Sequence, residues 1–218
     1  MGALKGAFIN IGAGLLGALP NIVVFQFNPE RVTRTPSLSR QPQAPDGSGN
    51  HPAVQQPDYP TESISFSLRL DASDQLAGSN PIAAASGILP TLSALELLMV
   101  PASGVSLDLF SLAGGGSKPF QLPPLNLNTI LFFWGPFRIL PVVISSLSIT
   151  ETEYDPLLNP VRAEVSVSLR VLTPSQLSDS TLAIGAYNYT EKVKQVMAAL
   201  NLANAVSMGV GSVLSLSI

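Results

Sequence analysis

The plainest pattern along the chain is strict alternation of apolar and polar positions. Val161, Ala163, Val165, Val167, Leu169 and Val171 fall on one face of a run, and Arg162, Glu164, Ser166, Ser168 and Arg170 on the other. This period of two is that of a half-buried antiparallel strand. At about 3.3 Å per residue the run spans roughly 36 Å, long for an average strand. A second run, Glu62–Asp71, sets Ile64, Phe66, Leu68 and Leu70 against Ser63, Ser65, Ser67 and Arg69. β-Branched and aromatic runs predict further strands over 21–28 (NIVVFQFN, ended by Pro29), 129–135 (TILFFWG) and 138–154. In the last of these Leu147 and Ile149 alternate with Ser148 and Thr150, and the Gly135-Pro136-Phe137 link before it predicts a hairpin.

Two stretches carry helical spacing. Ile88–Val100 has Pro90 in its first turn and Leu92, Leu95 and Met99 on one face. Residues 189–204 place Val193, Val196, Met197 and Leu200 in a stripe, and no charged side chain follows Lys194. A charge-free tail of this kind needs burial, in its own subunit or against another. Residues 33–60 have almost no large apolar side chains and predict a long loop rich in Pro, Ser and Gln. Residues 74–86 read as a polar, small-residue link, and 101–128 as a loop around Gly114, Gly115 and Gly116. The expected organisation is an apolar N-terminal extension (1–20), a main β domain (21–173) and a C-terminal helix with an apolar tail (174–218).

Composition sharpens this picture at one point. Charged residues make up 11% of the 218 residues, against about 25% in ordinary soluble domains. Mean hydropathy is +0.35. So little charge points to surface covered by a membrane or by other subunits. The membrane candidate is Gly2–Phe25, long enough to span but interrupted by Pro20 and Asn21. An apolar segment packed on neighbouring subunits is the preferred reading, and no cleaved signal peptide is expected. A net charge of −3 with no Lys or Arg run argues against nucleic acid. The absence of cysteine removes disulfides, thiolate nucleophiles and Cys-based zinc sites.

Catalytic patterns are thin. His51, the one histidine, sits between Asn50 and Pro52 in the polar loop without a patterned partner. Glu151, Glu153 and Asp155 at spacing two would share one strand face. Such a trio suits acid–base or metal chemistry, but equally a solvated face or subunit salt bridges. Gly12, Gly14 and Gly17 match G-x-G-x-x-G without the strand and helix that the nucleotide fingerprint requires. Gly114–Gly116 lacks the Lys-Ser/Thr of a phosphate loop. The chain is therefore expected to be no enzyme and to use no cofactor or metal. The polar strand faces carrying Ser65, Ser67, Arg69, Ser166, Ser168 and Arg170 are either an ordinary solvent face or the lining of a tube lumen.

The order of segments resembles a known family. VVFQFNPERV (23–32), SFSLRLDASD (65–74), GILPTLSALELLM (87–99) and FFWGPFRILPVVISSLSITETEYDPLLNPVRAEVSVSLRVL (132–172) together resemble the N-terminal domain of contractile injection system tube proteins, the baseplate tube initiators of phage-tail-like particles. The resemblance runs from Asn21 to about Thr173. It implies a mainly β (α+β), tail-tube-like antiparallel barrel or sandwich with one packed helix. It also implies a homo-hexameric ring between the spike hub and the inner tube or a second initiator, touching other baseplate components. Its particle would assemble in the cytoplasm, for release or docking at a membrane. Arg162, Glu164, Glu151 and Glu153 are expected at subunit contacts. Many members continue into a LysM module, and nothing after Thr173 resembles one. The alternatives are the repeated tube protein itself, a membrane-associated binding module anchored by residues 2–25, and, least supported, a hydrolase using Glu151, Glu153 and Asp155.

Overall fold

Strands with one apolar face must cover that face, and here the sheet covers it largely with itself. The computed structural model describes residues 4–11, 21–38, 60–77, 80–100, 129–177 and 180–207. The strands are β1 (Ala7–Asn10), β2 (Ile22–Val24), β3 (Val32–Ser37), β4 (Thr61–Asp71), β5 (Ile130–Phe133), β6 (Ile139–Tyr154) and β7 (Pro160–Val171). The α-helices are α1 (Ser73–Ala77), α2 (Pro81–Ser86), α3 (Leu89–Leu97) and α4 (Thr181–Ser207), and a 3-10 turn covers Pro174–Gln176. The chain is mainly β, and its seven strands form one antiparallel sheet in the order β2-β1-β5-β6-β7-β4-β3. Among the described residues β2 and β3 are not paired to each other, so the sheet is open.

The 16-residue β6 belongs to two parts of this sheet. Its first residues pair with β5, from Ile139↔Phe133 to Val142↔Ile130. On its other edge it pairs with β7, from Val142↔Val171 to Tyr154↔Pro160. A bulge lies between Ile144 and Ser146, and the Ser145 hydroxyl donates to the Ser168 carbonyl at 3.0 Å. Bulges bend a strand and increase its twist. Beyond this one β6 changes from buried residues to a half-exposed alternation. Strands β3, β4, β7 and the distal part of β6 form a wall, and β5, β1 and β2 form a limb that folds over its apolar face.

Aromatic rings join limb to wall. Phe8 of β1 and Phe132 of β5 meet Phe66 of β4 at centroid separations of 6.2 and 5.5 Å. Phe25, just past β2, packs edge-on against Phe8 at 5.0 Å and lies 5.7 Å from Phe66. Such pairs contribute about 0.5–1.5 kcal/mol each beyond the area they bury. Ile64, Leu68, Val165, Leu169, Ile130 and Val142 complete the core, with Leu92 and Leu95 of α3 and Ala183 and Tyr187 of α4.

Several sequence expectations need correction. The expected strand over 21–28 is ordered only at Ile22–Val24, because its partner β1 has four residues and pairing ends at Ala7↔Val24. Residues 33–37 of the expected loop belong to β3, which pairs from Val32↔Phe66 to Ser37↔Thr61. Ladder hydrogen bonds hold this edge strand, which is almost wholly exposed. The link at 74–86 contains α1 and α2; Pro81 opens α2, and the Asn80 side chain accepts from the Ile82 and Ala83 amides. Helix α3 ends at Leu97, so Leu92 and Leu95 are buried and Met99 is not. Within residues 1–20, β1 is an interior strand between β2 and β5. The final helix begins at Thr181, which brings Ala183, Tyr187 and Thr190 into buried positions. Residues 12–20 with their glycines, 39–59 with His51, 101–128 and the tail after Ser207 lie outside the described residues.

Two glycines give opposite expectations. Gly87 joins α2 to α3 at φ 56°, and a Cβ there would stand 2.1 Å from the Pro160 carbonyl oxygen. Gly87→Ala is expected to destabilise by about 2 kcal/mol or more. Gly185 lies on an open face of α4 with nothing within 4 Å of an added Cβ. Gly185→Ala is expected to stabilise by about 0.5–1 kcal/mol. Chemical denaturation of both variants checks the pair; equal shifts in one direction would contradict this account.

Candidate functional site: a hydroxyl-faced wall with two free edges

The alternation that buries one face of β4 and β7 fixes what the other face presents. Register sets Ser65 of β4 opposite Ser168 of β7, Ser67 opposite Ser166, Arg69 opposite Glu164 and Ser63 opposite Arg170. All six residues expected on the polar face, Ser65, Ser67, Arg69, Ser166, Ser168 and Arg170, therefore share it. The rungs continue onto both neighbouring strands. Thr33 of β3 lies beside Ser65 and Thr35 beside Ser63, while Ser146, Ser148 and Thr150 of β6 lie beside Ser168, Ser166 and Glu164. Sequence reading missed β3's share because the segment has no apolar alternation. The available signal was its hydroxyls at every second position, Thr33, Thr35 and Ser37.

Hydroxyls dominate the middle of the wall, and the Ser67 and Ser166 oxygens lie 3.3 Å apart. Residues 26–31 overhang the wall beside Ser67 and Arg69, leaving an open groove of about 1400 Å³. Gln26 anchors this overhang: its amide donates to the Asp71 carbonyl at 2.5 Å, and its carbonyl accepts from the Asp71 amide at 2.9 Å.

Charges gather at the ends of the wall. Arg162 donates through Nε to Asp71 at 2.9 Å and through a terminal nitrogen to Glu153. Thus Arg162 and Glu153, both expected at subunit contacts, are paired within the chain. Hydrogen bonds from the Ser73 side chain, then its backbone, hold the Asp71 carboxyl down to about 2, and Arg162 adds to this. At the opposite end, on the apolar side, Glu62 is buried beneath Arg34 of β3, with the Lys194 ammonium of α4 3.8 Å away. Burial lowers the pKa of the nearby Arg138, and repulsion from Arg34 adds to it.

The acidic trio does not form one face. The register shifts between Glu151 and Glu153, so Glu151 stands opposite Ala163 and Glu153 opposite Arg162. Asp155 lies past the strand, where it accepts from the Leu157 and Asn159 amides and the Asn159 side chain. Glu151 instead hydrogen-bonds Tyr154 and raises its pKa. Among the described residues no cluster of three or more His, Cys, Asp or Glu could hold a metal, and no helix is long and apolar enough to cross a membrane. Part of the candidate membrane segment, residues 2–25, is the strand β1.

Among the described residues, both sides of the wall end in unpaired backbone. β3 is a terminal strand with Pro36 in it, a residue tolerated at sheet edges because it cannot donate into a ladder. On the other side β5 covers only Ile139–Val142 of β6. Among the described residues no strand pairs with the outer edge of β6 beyond Val142. Comparison of the chain with protein-family models and with curated proteins gave no match.

Asp71 gives a pH test. Its folded pKa of about 2 lies below the ordinary aspartate value of 3.8. Its contribution is therefore complete above the unfolded pKa and is lost as pH falls through about 2. Asp71→Asn is expected to lower the urea midpoint at pH 5–7, with the gap to the parent chain closing as pH approaches 2. A gap unchanged down to pH 2 would remove the carboxylate from the account.

Proposed function

We propose that this chain is a structural subunit of a contractile injection system baseplate, where six copies close into a ring that joins the spike hub to the inner tube and seeds tube assembly. The observation that carries the reading is the wall: one face hydroxyl-lined, the other sealed by the chain's own core, and both edges unpaired among the described residues. Unpaired strand edges template further strands. Joining the distal edge of β6 in one copy to β3 of the next continues the wall and satisfies both edges. A cyclic arrangement then leaves no edge open. With neighbouring strands about 4.8 Å apart and tilted by about 40–45°, six four-strand walls close at a backbone diameter of roughly 50 Å. The hydroxyl face with Ser65, Ser67, Ser166 and Ser168 lines the lumen, and the limb and helices face outward. The low overall charge follows, since each copy is covered on two flanks. The role is mechanical and needs no catalytic group or cofactor.

The decisive measurement is the native mass of the purified chain, alone and with its spike-hub partner, by light scattering, with negative-stain imaging of the same samples. Rings of about six copies are expected, free or formed on the hub. Long tubes grown from the chain alone would make it the repeated tube protein instead. A monomer that persists with the hub present would overturn the ring.

A further inference from the structure

The turn between β6 and β7 holds two apolar side chains where no core needs them. Leu157 and Leu158 are 77% and 80% exposed, more than any other large apolar side chain among the described residues. The turn beneath them is fixed. The Asp155 carboxylate accepts from the Leu157 and Asn159 amides and from the Asn159 side chain, each at 2.8 Å, and the Asp155 amide donates to the Asn159 carbonyl. The Asn159 side chain also donates to the Ala85 carbonyl of α2. Leu158 has φ 65°, and among the described residues no other non-glycine residue has a positive φ. Glycine or asparagine would hold that conformation at lower cost. Folding gains little from a leucine that is strained and bare to solvent, so the use of the pair lies outside the subunit.

The two ends of the wall also differ in charge. Residues 151–162 carry Glu151, Glu153 and Asp155 against Arg162 alone, and Arg162 is shared between Glu153 and Asp71. Next along the same face Arg69 stands opposite Glu164, and the charges balance. The hairpin end therefore has an excess of carboxylates. Towards the opposite end, Arg34, Arg138, Arg170 and Lys194 outnumber Glu62 and Glu191. An acidic end tipped with leucines is repelled by an anionic lipid surface. It suits a protein face with an apolar pocket rimmed by cations.

We infer that the β6–β7 turn is the axial stacking contact of this subunit: Leu157 and Leu158 enter an apolar pocket, rimmed by Lys or Arg, on the protein ring seated at that mouth. This rests on the ring reading, in which the ends of the tilted strands face the two mouths. A wall of this build carries its excess of cations at the other end. The seated ring is therefore one of the same build that presents its basic end, which in that reading is the inner tube. The spike hub then meets the basic mouth. Opposite charges across the joint admit the tube in one direction only, because two acidic mouths brought together repel.

Leu157→Ser combined with Leu158→Asn tests the contact in the full-length protein. Asparagine tolerates a positive φ, so the urea midpoint of the variant is expected to equal or exceed that of the parent, and its rings to keep the parent's mass. The concentration of purified tube protein at which half the rings carry a tube, counted by negative stain, is expected to rise at least tenfold. Capture by the parent is expected to weaken between about 0.05 and 0.5 M salt, and binding of the spike hub to be the same in variant and parent. A lowered urea midpoint would assign the leucines to the subunit's own fold and overturn the contact. So would variant rings that take up tube protein as the parent does, or a loss confined to the spike hub or to vesicles of phosphatidylcholine and phosphatidylglycerol. Each of these results leaves the ring standing. A parent chain that stays monomeric with the hub present would overturn the ring and the contact together.

Discussion

The contact between Phe66 on the wall and Phe8 and Phe132 on the limb is the constraint on which the other features depend. An isolated four-strand wall would show its apolar face to water. Folding the limb back over it lets one continuous sheet act as both layers of a sandwich, and the rings fix the separation of those layers. The bend at the bulge in β6 makes this geometry available. Closing the limb on the wall leaves the hydroxyl face outward, draws Phe25 inward and brings Gln26 against Asp71. The groove beside the overhang is thus a consequence of core packing at the other face.

The two ends of the wall are organised differently. At the β6–β7 hairpin, Arg162 binds Asp71 and Glu153, and the Asp155 carboxylate holds the turn. These are exposed or partly exposed contacts, of the kind that contribute little each but define geometry. At the opposite end Glu62 is buried. A buried carboxylate depends on its partners, because losing one leaves a charge without compensation. Its partners come from β3 and α4, the two elements nearest the free edge, so edge strand and helix are tied through one side chain.

Much of this was legible in the sequence. The alternation in β4 and β7 is strict because each strand has one buried and one exposed face, and the six polar residues read from it do share a surface. The hairpin at Gly135–Phe137 was equally plain. What escaped was governed by partners distant in sequence. β3 carries no apolar pattern, since ladder bonds to β4 hold it and burial does not. The acidic trio looked like one face because spacing cannot reveal a bulge, and the bulge sends Glu151 and Glu153 to opposite sides. The helical stripe at 193–200 was legible as a stripe, but spacing could not tell that Val196, Met197 and Leu200 stay exposed while Ala183 and Tyr187, earlier in the same helix, enter the core.

The length of β6 has a mechanical consequence. The strand is bonded to β7 over most of its length and to β5 only at its beginning. A pull along its axis loads many rungs at once, as in a lap joint, and all must fail together. A pull perpendicular to the axis, at the distal edge, concentrates stress on a single rung and peels the ladder in sequence. Resistance to force is thus anisotropic: stiff along the direction of the long strands, compliant across them. Forced opening is governed by the unfolding rate, so the two directions of load differ in lifetime under tension, although both start from the same folded free energy.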